Sequence, residues 1–200
     1  DEPSFAQAEA DEADRTPLQP GCFTLLHSGI VYPSERDPTQ LMAALAILAQ
    51  QGAIRPGSLC VRFRAAVQDD LLMQLAAERG VSDYIEIAPP LPYRVALQEM
   101  LRADALLAMQ ASNCNAQIPA KVYEYLRAGR PIVCLSDPAG DTAGVLREAG
   151  VELHARLDDA QDIANALKRM LDTDRPLALP RVEAVRRASR AGRAQAMAEL

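Results

Sequence analysis

Two segments of this 200-residue chain carry side chains that could do chemistry together. In the first, His27-Ser28-Gly29 closes an apolar run, and Arg36-Asp37-Pro38 stands directly before a segment of helical period. Gly29 lets the backbone turn, or lets a ligand approach it closely. An arginine ahead of a helix N-terminus sits where free N–H groups and the helix dipole favour an anion, and its guanidinium can hold a phosphate bidentately. Arg36 could equally be solvated and pair with Glu35 or Asp37. The second segment runs from Ile118-Pro119 through Lys121 and Glu124 to Gly129. At roughly 100° per residue, Lys121, Glu124 and Ala128 share one stripe of a short helix, and Val122 and Leu126 another. Lys121 could meet a phosphate while Glu124 accepts hydrogen bonds from sugar hydroxyls. The same spacing also suits a plain surface pair, worth a few tenths of a kcal/mol.

Both segments need a frame. From Gly21 onward, short apolar runs recur at 23–28, 59–65, 84–88, 105–110, 131–136 and 151–155, several of them continuous rather than alternating. Such runs suit strands covered on both faces, as in a parallel sheet. Helical period separates them. Leu41, Ala44, Leu45 and Leu48 mark the first helix, which Asp37 can cap with Pro38 at its first position and Gln40 completing a box. Further helices are expected at 69–79, 92–102, 119–128, 141–149, 159–172 and 181–198, with Gly80, Gly129 and Gly150 as terminators. This alternation predicts an α/β fold, a doubly wound parallel sheet of about six strands, Rossmann-like. Ligands of such sheets bind at the carboxyl ends of the strands, near the point where strand order reverses.

Composition narrows the function. The net charge of −6 is concentrated in residues 1–20, where six acids face one arginine and no helical or strand period is evident; this stretch reads as an acidic linker or arm. A nearly neutral body, 4% aromatic content and no Trp argue against nucleic acid as the partner. Cys22, Cys60, Cys114 and Cys134 lie 38, 54 and 20 residues apart, which fits no zinc pattern and suits reduced thiols. Two histidines cannot make a His-rich metal centre, and no acidic metal cluster is visible, so no metal is expected. No apolar run approaches the ~20 residues of a membrane span. The chain opens on Asp1-Glu2-Pro3-Ser4 with neither an initiator Met nor a signal peptide, which reads as an excised fragment. There is no GxGxxG and no GxxxxGK[ST], so dinucleotide and P-loop readings lose support. Ser28 lacks partners for a hydrolase triad. The last twenty residues carry five arginines against two glutamates and read as a solvated helix face.

The two segments together resemble the C-terminal, donor-binding domain of GT-B glycosyltransferases, in the large retaining group that uses nucleotide-sugars (glycosyl transferases group 1 type). LLHSGIVYPSERDPTQLMAAL is similar to that family's first strand, glycine turn, basic residue and first helix. IPAKVYEYLRAGRPIVCL resembles its donor-site helix and the strand after it, and KxxEYLxxGxP is the more specific pattern. DPAGDTAGVLREAGV resembles the following loop and helix, and SRAGRAQAMAEL the closing helix that crosses back to the N-terminal domain. The resemblance covers about residues 21–200, with 21–180 as the nucleotide-sugar-binding domain and 181–200 as the crossing helix.

The resemblance implies a donor site. Glu124 would bind the ribose, and Arg36 and Lys121 would hold the diphosphate and act in catalysis. Gly29 would also border the donor. From the residues themselves, Tyr93 could border the nucleobase or simply pack, Asn113 could lie over the sugar or form an ordinary turn, and Gly140 and Thr142 could offer N–H groups to an anion or only cap a helix. His27, at a strand end, could reach the ligand or be a satisfied structural histidine. The family's first carboxylate of Glu-x7-Glu falls at Ala116, beside Gln117, and is missing. The implied enzyme is a hexosyltransferase type of bacterial polysaccharide biosynthesis, with a UDP- or GDP-linked sugar as co-substrate and no cofactor. Its carbohydrate or lipid-linked acceptor would sit on an N-terminal domain. A cytoplasmic location is expected, with peripheral association at the inner membrane face. The rival readings are a nucleotide-sugar epimerase of related fold and a non-catalytic nucleotide-sugar-binding module.

Overall fold

The computed structural model describes residues 2–11 and 16–198. Six strands, β1 (Phe23–Ser28), β2 (Leu59–Arg64), β3 (Ile85–Ala88), β4 (Ala105–Gln110), β5 (Ile132–Ser136) and β6 (Leu153–Ala155), form one sheet in the order β3-β2-β1-β4-β5-β6. Every pairing is parallel, as the continuous apolar runs require. The strands alternate between two cores. Leu25, Leu107, Met109, Val133 and Leu135 face one side, packed with Leu41, Leu45, Leu48, Ile163 and Leu167. Leu26, Leu106, Ala108, Ile132 and Cys134 face the other, with Leu97, Leu101, Val122, Tyr125 and Leu146. The helices of the first face are α2 (Thr39–Gln50), α3 (Asp69–Glu78) and α7 (Ala160–Met170); those of the second include α4 (Tyr93–Arg102), α5 (Ala120–Ala128) and α6 (Asp141–Glu148).

Local chemistry sets the ends. Asp159 caps α7 by accepting from the N–H groups of Gln161 and Asp162 at 2.9 and 3.0 Å. Gly129 ends α5 with φ +64. The box expected at α2 does not form with Gln40. Asp37 instead accepts from the N–H and hydroxyl of Thr39, at 2.9 and 2.6 Å, and Pro38 precedes the helix. The run expected at 59–65 stops at Arg64, because Ala65 turns out of the strand at φ +56. The single helix expected over 181–198 is two, α8 (Val182–Ala188) and α9 (Arg190–Ala198). Ser189 breaks it with ψ 158; its hydroxyl donates to Arg186 O at 2.7 Å and accepts from Gly192 N–H at 3.0 Å, an N-cap placed inside the pattern.

The acidic segment holds a helix where no period was evident. α1 (Glu2–Asp11) buries Phe5 and Ala8 completely against α4 and α5. Arg127 of α5 clamps it, donating to Glu2 and Glu9 at 2.6 and 2.9 Å, with its guanidinium 5.1 Å above the Phe5 ring. Two buried positions, three apart, are too few to read as a face in a stretch crowded with acids. Residues 1, 12–15 and 199–200 lie outside the described residues.

A buried ion network fixes the ends of β2 and β3. Glu99 of α4 is 6% exposed and accepts from Arg64 at 2.6 and 2.8 Å and from Arg62 at 3.0 Å. Arg62 also binds Glu86, and Arg64 donates to the carbonyl of Pro89. The network thus ties the strand ends to the proline-rich loop that delivers Tyr93. Removing one partner of such a pair leaves buried charge uncompensated, at a cost of about 3–5 kcal/mol. Glu99→Ala is therefore expected to lose stability of that order in urea unfolding; a loss under 1 kcal/mol would show that the arginines find water instead.

Candidate functional site

The site is built where strand order reverses, between β1 and β4. β1 ends at Ser28, whose N–H donates to the Tyr125 hydroxyl at 2.9 Å, so α5 is pinned to the strand end. The chain then turns at Gly29 with φ +107, a conformation that L side chains rarely adopt. A Cβ there would also stand 3.3 Å from Lys121 Nζ. Lys121, in the first turn of α5, reaches across this glycine to His27, with Nζ 3.0 Å from Nε2. His27 is fully buried, and its Nδ1 lies 3.0 Å from the carbonyl of Leu107 on β4.

Arg36 closes the third side. It is 9% exposed, donates to Ile30 O at 3.3 Å, and stacks 5.1 Å above the Tyr32 ring. Its nearest carboxylate oxygen, on Glu35, is 3.9 Å away, and its Nε is buried without a hydrogen-bond partner. Nitrogen bases therefore crowd one crevice. Burial, and then the Arg36 charge, push the Lys121 amine from 10.5 down to about 7, with Glu124 opposing. Burial, followed by Lys121, holds His27 well below its ordinary range. An arriving anion would meet an Arg36 donor with spare capacity, a Lys121 amine and a backbone without a Cβ.

Glu124 lies one turn further along α5 and faces a different neighbour. No ion pair joins it to Lys121 among the described residues; it accepts from the Tyr93 hydroxyl at 2.9 Å. Burial and this carboxylate raise the Tyr93 phenol to about 12. Both side chains line a cavity of about 1020 Å³, which Tyr123, Arg190 and Arg193 also line. Arg193 stacks 4.9 Å above Tyr123, joining α9 to α5. The arginine-rich stretch read as a solvated face thus supplies part of this wall.

The remaining sequence candidates brace loops around the crevice. Asn113 donates to Ser34 O at 2.9 Å, and Ala111 N–H to Glu35 O at 2.7 Å, so the turn after β4 holds the turn that carries Arg36. Gly140 packs against Asn115; a Cβ there would meet Asn115 Oδ1 at 2.8 Å. The N–H of Asp141 donates to Asn115 O at 2.8 Å, and the buried Thr142 hydroxyl to Gln117 O at 3.0 Å. Ala116 and Gln117 are exposed on this braced loop. Two contributors escaped sequence reading: Tyr125, which looked like one more apolar residue beside Glu124, and Arg64, whose carbonyl accepts from Gly29 N–H at 2.8 Å.

No family model matches the chain, and no curated protein matches it in sequence. Solved structures do match. A UDP-forming α,α-trehalose-phosphate synthase from Burkholderia xenovorans, in complex with glucose-6-phosphate, aligns with TM-score 0.70 at 16% identity over 98% of this chain and 48% of its own. WaaG, a glycosyltransferase involved in lipopolysaccharide biosynthesis, aligns with TM-score 0.62 at 16% identity over 95% of this chain and 46% of its own. HepE of Anabaena, in complex with UDP and glucose, aligns with TM-score 0.60 at 16% identity over 100% of this chain and 48% of its own. The chain spans about half the length of each of these structures. Its fold is one Rossmann-like half of the GT-B glycosyltransferase architecture, as the sequence resemblance implied.

Lys121 gives the site a signature in stability. Its folded-state value lies below its ordinary 10.5, so between about 7 and that value the unfolded chain binds more protons and stability rises with pH. This group contributes about 1.4 kcal/mol per pH unit there; below 7 the burial cost is full and constant. Lys121→Met cannot titrate. It is expected to be more stable than the parent at pH 6.5, with an advantage that shrinks steadily from pH 7 to 9.5 in urea unfolding. A gap independent of pH would show that the amine is not held this way.

Proposed function

We propose that this chain is the nucleotide-sugar donor-binding half of a glycosyltransferase. The observation that carries the reading is the crevice at the β1–β4 switch point, where Gly29, Arg36 and Lys121 converge one helical turn from Glu124. Arg36 and Lys121 supply positive donors for a diphosphate. In transfer, negative charge grows on the departing diphosphate, and donors already in place stabilise it without reorganising. Glu124 offers its carboxylate to the ribose hydroxyls, with Tyr93 as a neighbour that can yield or share its hydrogen bond, and Tyr93 borders the base. The braced loop of Asn113, Gly140 and Thr142 frames the sugar end. The donor is a UDP- or GDP-linked sugar. The acceptor, a carbohydrate or a lipid-linked one, docks on a second domain that completes the enzyme and brings it to a membrane surface in the cytoplasm. Among the described residues no helix is long and apolar enough to cross a membrane.

Glu124→Gln keeps the shape and removes the charge. A hydrogen bond to a charged group is worth about 1.5–3 kcal/mol, so losing one is expected to weaken nucleotide binding roughly 10- to 150-fold. Lys121→Met is expected to weaken UDP and GDP more than uridine, since its partner is phosphate. Calorimetry of the three ligands against parent and variants checks both. Affinities that do not change with either variant would retire the site.

A further inference from the structure

We propose that His27 is a positioning residue for anion binding: its Nε2 lone pair holds the Lys121 amine over the Gly29 backbone, where the ligand's phosphate arrives. The inference rests on the crevice being the phosphate end of the donor site. Lysine is a long, flexible side chain with a large rotamer entropy. A group that is ordered only as the ligand binds takes that cost out of the affinity, whereas one already ordered does not.

The contacts that order Lys121 begin on β4. Leu107 O can only accept, so its 3.0 Å contact places the hydrogen on His27 Nδ1 and leaves Nε2 with a lone pair. Turning the ring would break that bond inside the protein, since His27 is fully buried with the Phe63 ring 5.8 Å away. Nε2 therefore offers one fixed acceptor to Lys121 Nζ at 3.0 Å. The amine donates this bond with or without its extra proton, and in either form keeps N–H for a ligand. Gly29 completes the slot. A Cβ there would stand 3.3 Å from Nζ and 3.6 Å from Cε, so the amine rests against bare backbone.

The chemistry of the holder matters as much as its place. A carboxylate would hold the amine too, but it would spend the charge and repel a phosphate. The imidazole holds it without a charge of its own. Glu124, the acid on the same helix, accepts instead from the Tyr93 hydroxyl. Arg36 is treated alike: Ile30 O and the Tyr32 ring hold it, and the Glu35 carboxylate comes no closer than 3.9 Å. Neutral partners thus fix both cations of the crevice, and their charge is left for the ligand.

Two histidines make the first test direct. His154 presents Nε2 to a carbonyl, that of Val151 at 2.9 Å, so the two rings carry opposite tautomers. In 15N-histidine spectra His27 is expected to show a protonated Nδ1 and a lone pair on Nε2, and Lys121→Met to move that Nε2 signal. The second test is calorimetry with UDP, uridine and inorganic pyrophosphate. His27→Leu, which keeps apolar volume and removes the acceptor, is expected to weaken UDP and pyrophosphate roughly 3- to 10-fold, the effect of leaving one long side chain unordered, and to spare uridine. His27→Gln, whose amide offers one donor and one acceptor as the imidazole does, should recover most of that loss. In a Lys121→Met background, His27→Leu should weaken UDP no further, because it acts through the amine. A protonated Nε2 on His27 overturns the proposal, as do equal losses for UDP and uridine, a glutamine variant no better than leucine, or a further loss in the Lys121→Met background. Pyrophosphate binding that depends on His27, where neither UDP nor uridine binds, would retire the donor reading and support the positioning role. Binding of none of the three would retire both.

Discussion

Strand order governs everything near the crevice. β1 pairs with β2 on one side and β4 on the other, and the connections leave these strands in opposite directions. The turns after β1 and β4 therefore part at the carboxyl end instead of covering it. Into that gap come the first turns of α2 and α5, each with N–H groups and an oriented dipole. What fills it is a set of nitrogen bases with little opposing charge in contact. Such an arrangement is unfavourable by itself, and the fold holds it with bonds made elsewhere: Tyr125 to Ser28, Gly29 to Arg64, Ala111 to Glu35.

The sheet was legible because its signal is repeated. Every strand is a short apolar run, and each separating helix has its own period or punctuation, so one ambiguous element does not disturb the pattern. Segments whose structure depends on a distant partner were harder to read. α1 forms because Arg127, far along the chain, neutralises Glu2 and Glu9 and covers Phe5. The break at Ser189 follows from one hydroxyl engaging two backbone groups, a choice that a serine in a helical pattern does not announce.

At the site, spacing and residue type brought Arg36, Lys121 and Glu124 forward, but not their partners. Lys121 and Glu124 sit three apart, which reads as a pair; tertiary contacts send one to His27 and the other to Tyr93. Both partners lie more than thirty residues away along the chain, beyond any helical or strand period. Asn113 and Thr142 are likewise placed by loop-to-loop bonds, and Gly140 by close packing on Asn115, which only the assembled sheet creates.

The docking of α1 has a bearing on where this unit begins as a folded object. By its strand pattern the domain starts at Gly21, and a chain trimmed there would keep all six strands. It would also lose the cover over the apolar face that Leu97, Met100 and Leu101 share with Phe5. Arg127 would be left without both of its carboxylates. The trimmed chain would present a sticky, positively charged surface beside the cavity that Arg127 helps to line. Solubility, rather than the sheet, would then be what the missing residues had been protecting.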